Sequence, residues 1–201
     1  MAVNRDINYV RLCGTLAAKP LFSHESRGQA FYRLPLEVRR LSGAADVLPV
    51  LLRRAQLEVL TPDGAGKLAV TGELRTFNNH SGEGARLVIT VFARELAFSG
   101  EEDDNLVQLA GTLCRAPVLR RTPMGREICD LLLAVNRRCG RADYLPCICW
   151  GSTARSCAAL GVGARVRLEG RFQSRSYIKL VDGEPVEKTA YEVSASTVEA
   201  E

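Results

Sequence analysis

The sequence predicts an all-β protein built from two tandem copies of one small barrel, each with five strands and a short helix between the third and fourth. Three observations predict it. Apolar and polar residues alternate with a period of two through most of the 201 residues, as half-buried strands require. The chain repeats itself at an offset of 97 residues, Asn8 returning as Asn105. A short helical stretch stands at the same place in each repeat.

The repeat settles the architecture before any strand is read. Asn8, Val10, Leu12, Gly14, Thr15, Leu16 and Pro20 recur as Asn105, Val107, Leu109, Gly111, Thr112, Leu113 and Pro117. Arg40, Asp46, Leu48 and Pro49 recur as Arg137, Asp143, Leu145 and Pro146, and after a one-residue insertion 72–76 aligns with 170–174. Residues 1–99 and 105–201 are therefore expected to form two domains. The polar, acidic stretch 100–104 reads as a linker that neither domain buries.

In the first domain the alternation marks strands at 10–16, 31–39, 47–53, 68–77 and 87–96. The second repeats them at 107–113, 128–137, 144–150, 166–177 and 189–198. A helix is expected over 152–160, with Ser152 as its cap and Gly161 and Gly163 as its stop; 55–60 is its weaker counterpart. Five short strands with a helix between the third and fourth is the order of an OB-fold barrel.

Composition narrows the class of protein. No window approaches 18 uncharged apolar residues and the first six lack the apolar core of a signal peptide, so a cytoplasmic protein without a membrane segment is expected. Seven cysteines in no regular framework fit reduced thiols. Of the 27 basic residues all but Lys19, Lys67, Lys179 and Lys188 are arginine, the side chain that both pairs with phosphate and stacks on flat rings. Residues 1–100 hold 13 basic and 9 acidic groups, whereas 101–201 hold 14 of each, Asp182, Glu184 and Glu187 among the acids.

One strand carries the main functional signal. With a period of two, Tyr144, Pro146, Ile148 and Trp150 share one face, and Leu145, Cys147 and Cys149 the other. The small apolar set is the core set, so the two rings look outward. Arg137, Arg138 and Arg141 precede them and Arg155 follows, which suggests a surface where bases stack among cations. On the fourth strand Arg171, Gln173, Arg175 and Tyr177 share a face opposite Phe172. In the first domain the position of Trp150 holds Arg53 and that of Tyr144 holds Val47. There Arg33 and Arg39 project opposite Leu34, Leu36 and Val38, and Arg75, Phe77 and Asn79 share a face. The first domain is expected to hold phosphate more than it stacks bases.

The stretches 105–113, 133–137, 143–144, 149–151 and 170–177 resemble bacterial single-stranded DNA-binding proteins along nearly the whole second domain; 8–16, 36–40, 46–50 and 72–76 resemble them in the first. The resemblance implies OB-folds that bind and protect single-stranded DNA with little sequence preference, in replication, recombination or repair. It implies stacking aromatics at Tyr144, Trp150 and Tyr177, with Cys139 at a fourth such position. Most members carry one fold per chain and assemble as tetramers, and a minority carry two and dimerise. A homodimer giving four OB-folds is thus expected. Members used in replication usually end in an acidic tail, whereas this sequence stops at Glu201, which points to an accessory role, for instance on a mobile element.

Other readings of the same faces remain: RNA binding or a primosome-type adaptor, or a protein-interaction module whose interface is the aromatic face of the second domain. Catalysis, a cofactor and a metal site are not expected. His24 and His80 have no nucleophile or ligand pattern around them, and no glycine-rich loop leads from a strand into a helix. Cys147 and Cys149 stand two apart on a core face, where the first domain has Val50 and Leu52, so they read as small hydrophobes rather than zinc ligands.

Overall fold

The computed structural model describes residues 6–60, 66–79, 87–181 and 183–201; His80 and Asp182 lie outside them. The first half contains β1 (Ile7–Leu16), β2 (Leu21–Ser26), β3 (Gln29–Arg39), β4 (Ala45–Arg53), a 3-10 helix (Arg54–Val59), β5 (Lys67–Asn78) and β6 (Leu87–Ser99). The second contains β7 (Asp104–Leu113), β8 (Val118–Arg121), β9 (Glu127–Asn136), β10 (Ala142–Trp150), the helix α1 (Gly151–Ala158), β11 (Arg165–Val181) and β12 (Glu184–Ala200).

Each half closes into a barrel by the same pairings. β1 meets β5 and then β3, β3 meets β4, β4 runs parallel to β6, and β6 returns to β5. β7, β9, β10, β12 and β11 repeat that circuit. The protein is all-β, two tandem OB-folds. Alternation selects the core: Leu34, Leu36, Leu48, Val50 and Leu74 are buried in the first barrel, and Leu109, Leu133, Leu145 and Phe172 in the second. Hiding a side chain of this size stabilises by about 1.5–3 kcal/mol. Cys147 and Cys149 are buried with them, and burial pushes the Cys147 thiol well above its ordinary value.

Two strands escape the periodic reading. β2 and β8 have no core face, since every residue of β8 and all but Ser23 in β2 are exposed, so their sequences need not alternate. β2 exists because a two-residue turn at Arg27 (φ 52°) and Gly28 (φ 72°) folds it back on β3; left-handed backbone at both positions matches the right-handed twist of the strands. The helix also differs from expectation. It starts at Gly151 directly after β10, so the residue before it is Trp150, no side chain caps it, and Ser152 lies inside its first turn. Its counterpart is a single 3-10 stretch.

The halves join along β1 and β7, which pair antiparallel with Val10 opposite Val107. Those two are repeat mates, so the seam is a pseudo-two-fold in which each half offers the other the same surface. Among the described residues the twelve strands thereby form one continuous sheet. The stretch 100–104 is held to the first half by its acids. Asp103 accepts a hydrogen bond from the Arg39 N–H at 2.6 Å and pairs with Lys67 at 2.8 Å. Its repeat mate Asp6 accepts from the Asn136 N–H at 2.8 Å and pairs with Arg165 at 2.8 Å. Each carboxylate thus ties one half to the other.

Candidate nucleic-acid interface

The seam takes up two arginines expected to face nucleic acid. Asp143, fully buried, accepts hydrogen bonds from Arg137 Nε at 2.8 Å, Arg75 at 2.9 Å, and the Thr76 N–H at 2.6 Å. Arg137 also donates to the Thr76 carbonyl at 3.2 Å. Arg75 and Arg137 are therefore turned onto a carboxylate between the halves rather than outward, because a buried charge needs its partners more than a solvated phosphate does. The mate of this cluster is Asp46, which accepts from Arg40 Nε at 2.7 Å and from Ser174 N–H and Oγ at 2.8 and 2.9 Å. Gln173 replaces Arg75 there and turns to Glu192 at 3.1 Å, so it is buried rather than part of the outer face.

These contacts set an acid limit on stability. Burial pushes the Asp46 carboxyl up, but hydrogen bonds from Arg40 and Ser174, with the Arg40 charge, outweigh it and leave it below the usual carboxylate value. A carboxyl depressed on folding contributes stability that is whole above its unfolded pKa, about 3.9, and is lost as pH falls through its folded value. Unfolding midpoints in urea should therefore drop below about pH 4. Asp46→Asn should flatten that drop, and an unchanged pH profile in the variant would remove Asp46 as its source.

The outer face of the second barrel is open. Trp150, at the end of β10, is 40% exposed. It lines a groove of about 760 Å³ together with Arg126, Arg171, Arg40, Gly170, Ser194 and Ser196. Periodicity could not flag Arg126, which belongs to the β8–β9 turn. Tyr144 (49% exposed) and Tyr177 (37% exposed) lie elsewhere. Six residues of strand separate Tyr144 from Trp150, and six separate Arg171 from Tyr177, about 20 Å in each case. β10 and β12 run parallel where Cys147 lies opposite Val193 and Ile148 opposite Ser194, whereas the Tyr144 N–H donates to Thr76 Oγ1 of the other half at 3.0 Å. Arg175 lies 5.8 Å from the Tyr177 ring centre and 3.8 Å from Glu192. The structure thus groups Trp150 with Arg171 and Arg126, sets Arg175 beside Tyr177, and leaves Tyr144 exposed at the start of β10.

In the first barrel Arg39 and Phe77 are exposed, at the ends of β3 and β5. Arg33 lines a small cavity between the halves, about 190 Å³, with Val47, Pro49 and Tyr191. Arg53 lies over the Phe92 ring, 4.8 Å from its centre, an aromatic partner the sequence reading did not single out. Its neighbours Val91 and Ala93 are apolar like Phe92 itself, so no alternation marked Phe92 as outward. Among the described residues no group of His, Cys, Asp or Glu could hold a metal ion, and no helix is long and apolar enough to cross a membrane.

Paired OB-folds whose outer faces carry arginine and half-exposed rings define a class of oligonucleotide-binding scaffold. The model of the single-strand binding protein family matches residues 104–200. Single-stranded DNA-binding protein B of Bacillus subtilis is 38% identical over 101 residues, 47% of this chain and 87% of that protein. The single-stranded DNA-binding protein of Halalkalibacterium halodurans is 39% identical over 80 residues, 36% of this chain and 48% of its own length. The chain thus spans about half the length of several curated relatives that it matches. The crystal structure of wild-type single-stranded DNA binding protein from Thermus aquaticus superposes with a TM-score of 0.78 at 26% identity, covering 98% of this chain and 94% of that one. The chain belongs to the single-strand binding protein family.

Proposed function

We propose that the protein binds and protects single-stranded DNA with little sequence preference, without catalysis or cofactor, in cytoplasmic replication, recombination or repair. The observation that carries this reading is Trp150. A tryptophan is normally hidden, yet this one stands 40% exposed in an open groove among Arg126 and Arg171. A base can stack on such a ring while its phosphate meets a guanidinium, and every base offers a face. Arg175 and Tyr177 with Tyr144 would continue the path, and Arg33, Arg39, Arg53 and Phe77 would carry it over the first barrel. Arg75 and Arg137 are left with a role in holding the halves together.

Titration with oligo-dT should quench Trp150 fluorescence, and because it is the only tryptophan the signal reports the second barrel alone. Trp150→Ala should weaken binding by roughly 1–3 kcal/mol. The absence of both quenching and a mobility shift at low salt would end the stacking reading. Equal affinity for oligo-U would remove the preference for DNA.

A homodimer, supplying four OB-folds, is the assembly this reading expects. Light scattering should show a particle of two chains across micromolar concentrations, and a 22.0 kDa monomer would overturn it.

A further inference from the structure

The outer face of the first barrel carries a row of flat groups that the family motifs do not account for. His24 on β2 stacks on Phe31 of β3, rings 5.0 Å apart and 17° from parallel. Phe31 is 6.2 Å from Phe92 of β6. Arg53 of β4 and Arg94 of β6 lie over Phe92 at 4.8 and 5.4 Å. Register makes the row continuous across the sheet, with His24 opposite Phe31 and Phe31 opposite Arg53. None of the five is buried, although the inward neighbours Leu52, Val91 and Ala93 are almost wholly hidden.

The second barrel explains what the row replaces. Gly72 pairs with Ala93 as Gly170 pairs with Ala195, so Phe92 and Arg94 are the mates of Ser194 and Ser196. Arg53 is the mate of Trp150. Where the second barrel sets one ring among cations and small polar residues, the first sets a cation among rings. Two arginines over one ring repel each other. Arg94 is offset by Glu73 at 2.9 Å, but among the described residues no carboxylate pairs with Arg53. A guanidinium held over an arene still offers donors to a phosphate and a planar surface to another ring.

We propose that His24, Phe31, Phe92 and Arg53 form a second base-stacking site, which takes nucleobases of a single strand crossing the first barrel. The proposal rests on the single-strand-binding reading above. It bears on the expectation that the first barrel holds phosphate more than it stacks bases: stacking there would be carried by β2, β3 and β6 rather than at the mates of Tyr144, Trp150 and Tyr177.

The test uses the full chain. Cross-linking with an oligo-dT carrying 5-iodouracil, mapped by mass spectrometry, should mark Phe31, Phe92 or His24 as well as the second barrel. Phe92→Leu keeps the apolar contact and removes the flat face. Added to Trp150→Ala, it should lower affinity by about a further tenfold, with an unchanged urea midpoint. Cross-links confined to the second barrel, with the double variant binding as Trp150→Ala does, would overturn the proposal. Should Phe92→Leu unfold the chain, the cross-links on the wild type decide alone. A wild-type chain that neither binds oligo-dT nor shows quenching would remove the underlying reading too, an outcome distinct from binding without contacts in the first barrel.

Discussion

Asp143→Ala is expected to destabilise the protein by about 3–5 kcal/mol, more than any single surface substitution. The carboxylate is 0% exposed and faces Arg137 and Arg75, whose own side chains are only 21% and 20% exposed. Removing it leaves Arg137 with the Thr76 carbonyl alone, Arg75 with Glu73 alone and the Thr76 N–H without an acceptor, and breaking a buried pair costs far more than an exposed one contributes. Because Arg75 and Thr76 belong to one half and Arg137 to the other, the loss should also loosen the seam. The measurement is urea unfolding followed by circular dichroism. Asp46→Ala, with one arginine instead of two, should cost less. A loss below about 1 kcal/mol for Asp143→Ala would mean the cluster is a solvated surface network.

The second large effect is expected at Gly14, where β1 leaves β5 and curls onto β3 to close the barrel. A Cβ there would stand 2.2 Å from the Glu37 carbonyl oxygen and 2.9 Å from a Val38 methyl. Backbone cannot swing aside as a side-chain tip can, so β1 and β3 must part. Gly14→Ala should cost about 3 kcal/mol, at the upper end of overpacking penalties, and Gly111→Ala should match it, with the Ala134 oxygen 2.4 Å from its new Cβ. Gly100→Ala, with nothing within 4 Å, is the control and should be near neutral. A near-neutral Gly14→Ala would show that the corner can open without loss.

Much of this fold was legible because strand periodicity and burial are two views of one fact. Leu34, Leu36 and Val38 alternate with Arg33, Glu37 and Arg39 because one face of β3 is core. The repeat was legible because both barrels solve the same closure problem, and Gly14 and Gly111 are identical for that reason. β2 and β8 were not legible, since strands that bury no face need obey no pattern. Phe92 was hidden by apolar neighbours, and Arg126 by its place in a turn. The repeat pairs Arg40 with Arg137 and Asp46 with Asp143 were visible as identities, but their meaning was not, because the Thr76 that completes the Asp143 cluster lies 67 residues away in the other half.

The sequence by itself determined the all-β class, the duplication, the order of the barrel strands and the outward placement of Tyr144 and Trp150, all of which follow from local alternation and self-similarity. Only the tertiary structure decided which cations are free. An arginine on an outward face reads the same whether it stays in solvent beside a carboxylate of its own strand, as Arg39 does with Glu37, or is drawn onto a buried carboxylate from the other half, as Arg75 is. That choice is made by pseudo-two-fold contact between distant segments, which brings a buried charge within reach of a guanidinium and makes pairing there outweigh hydration.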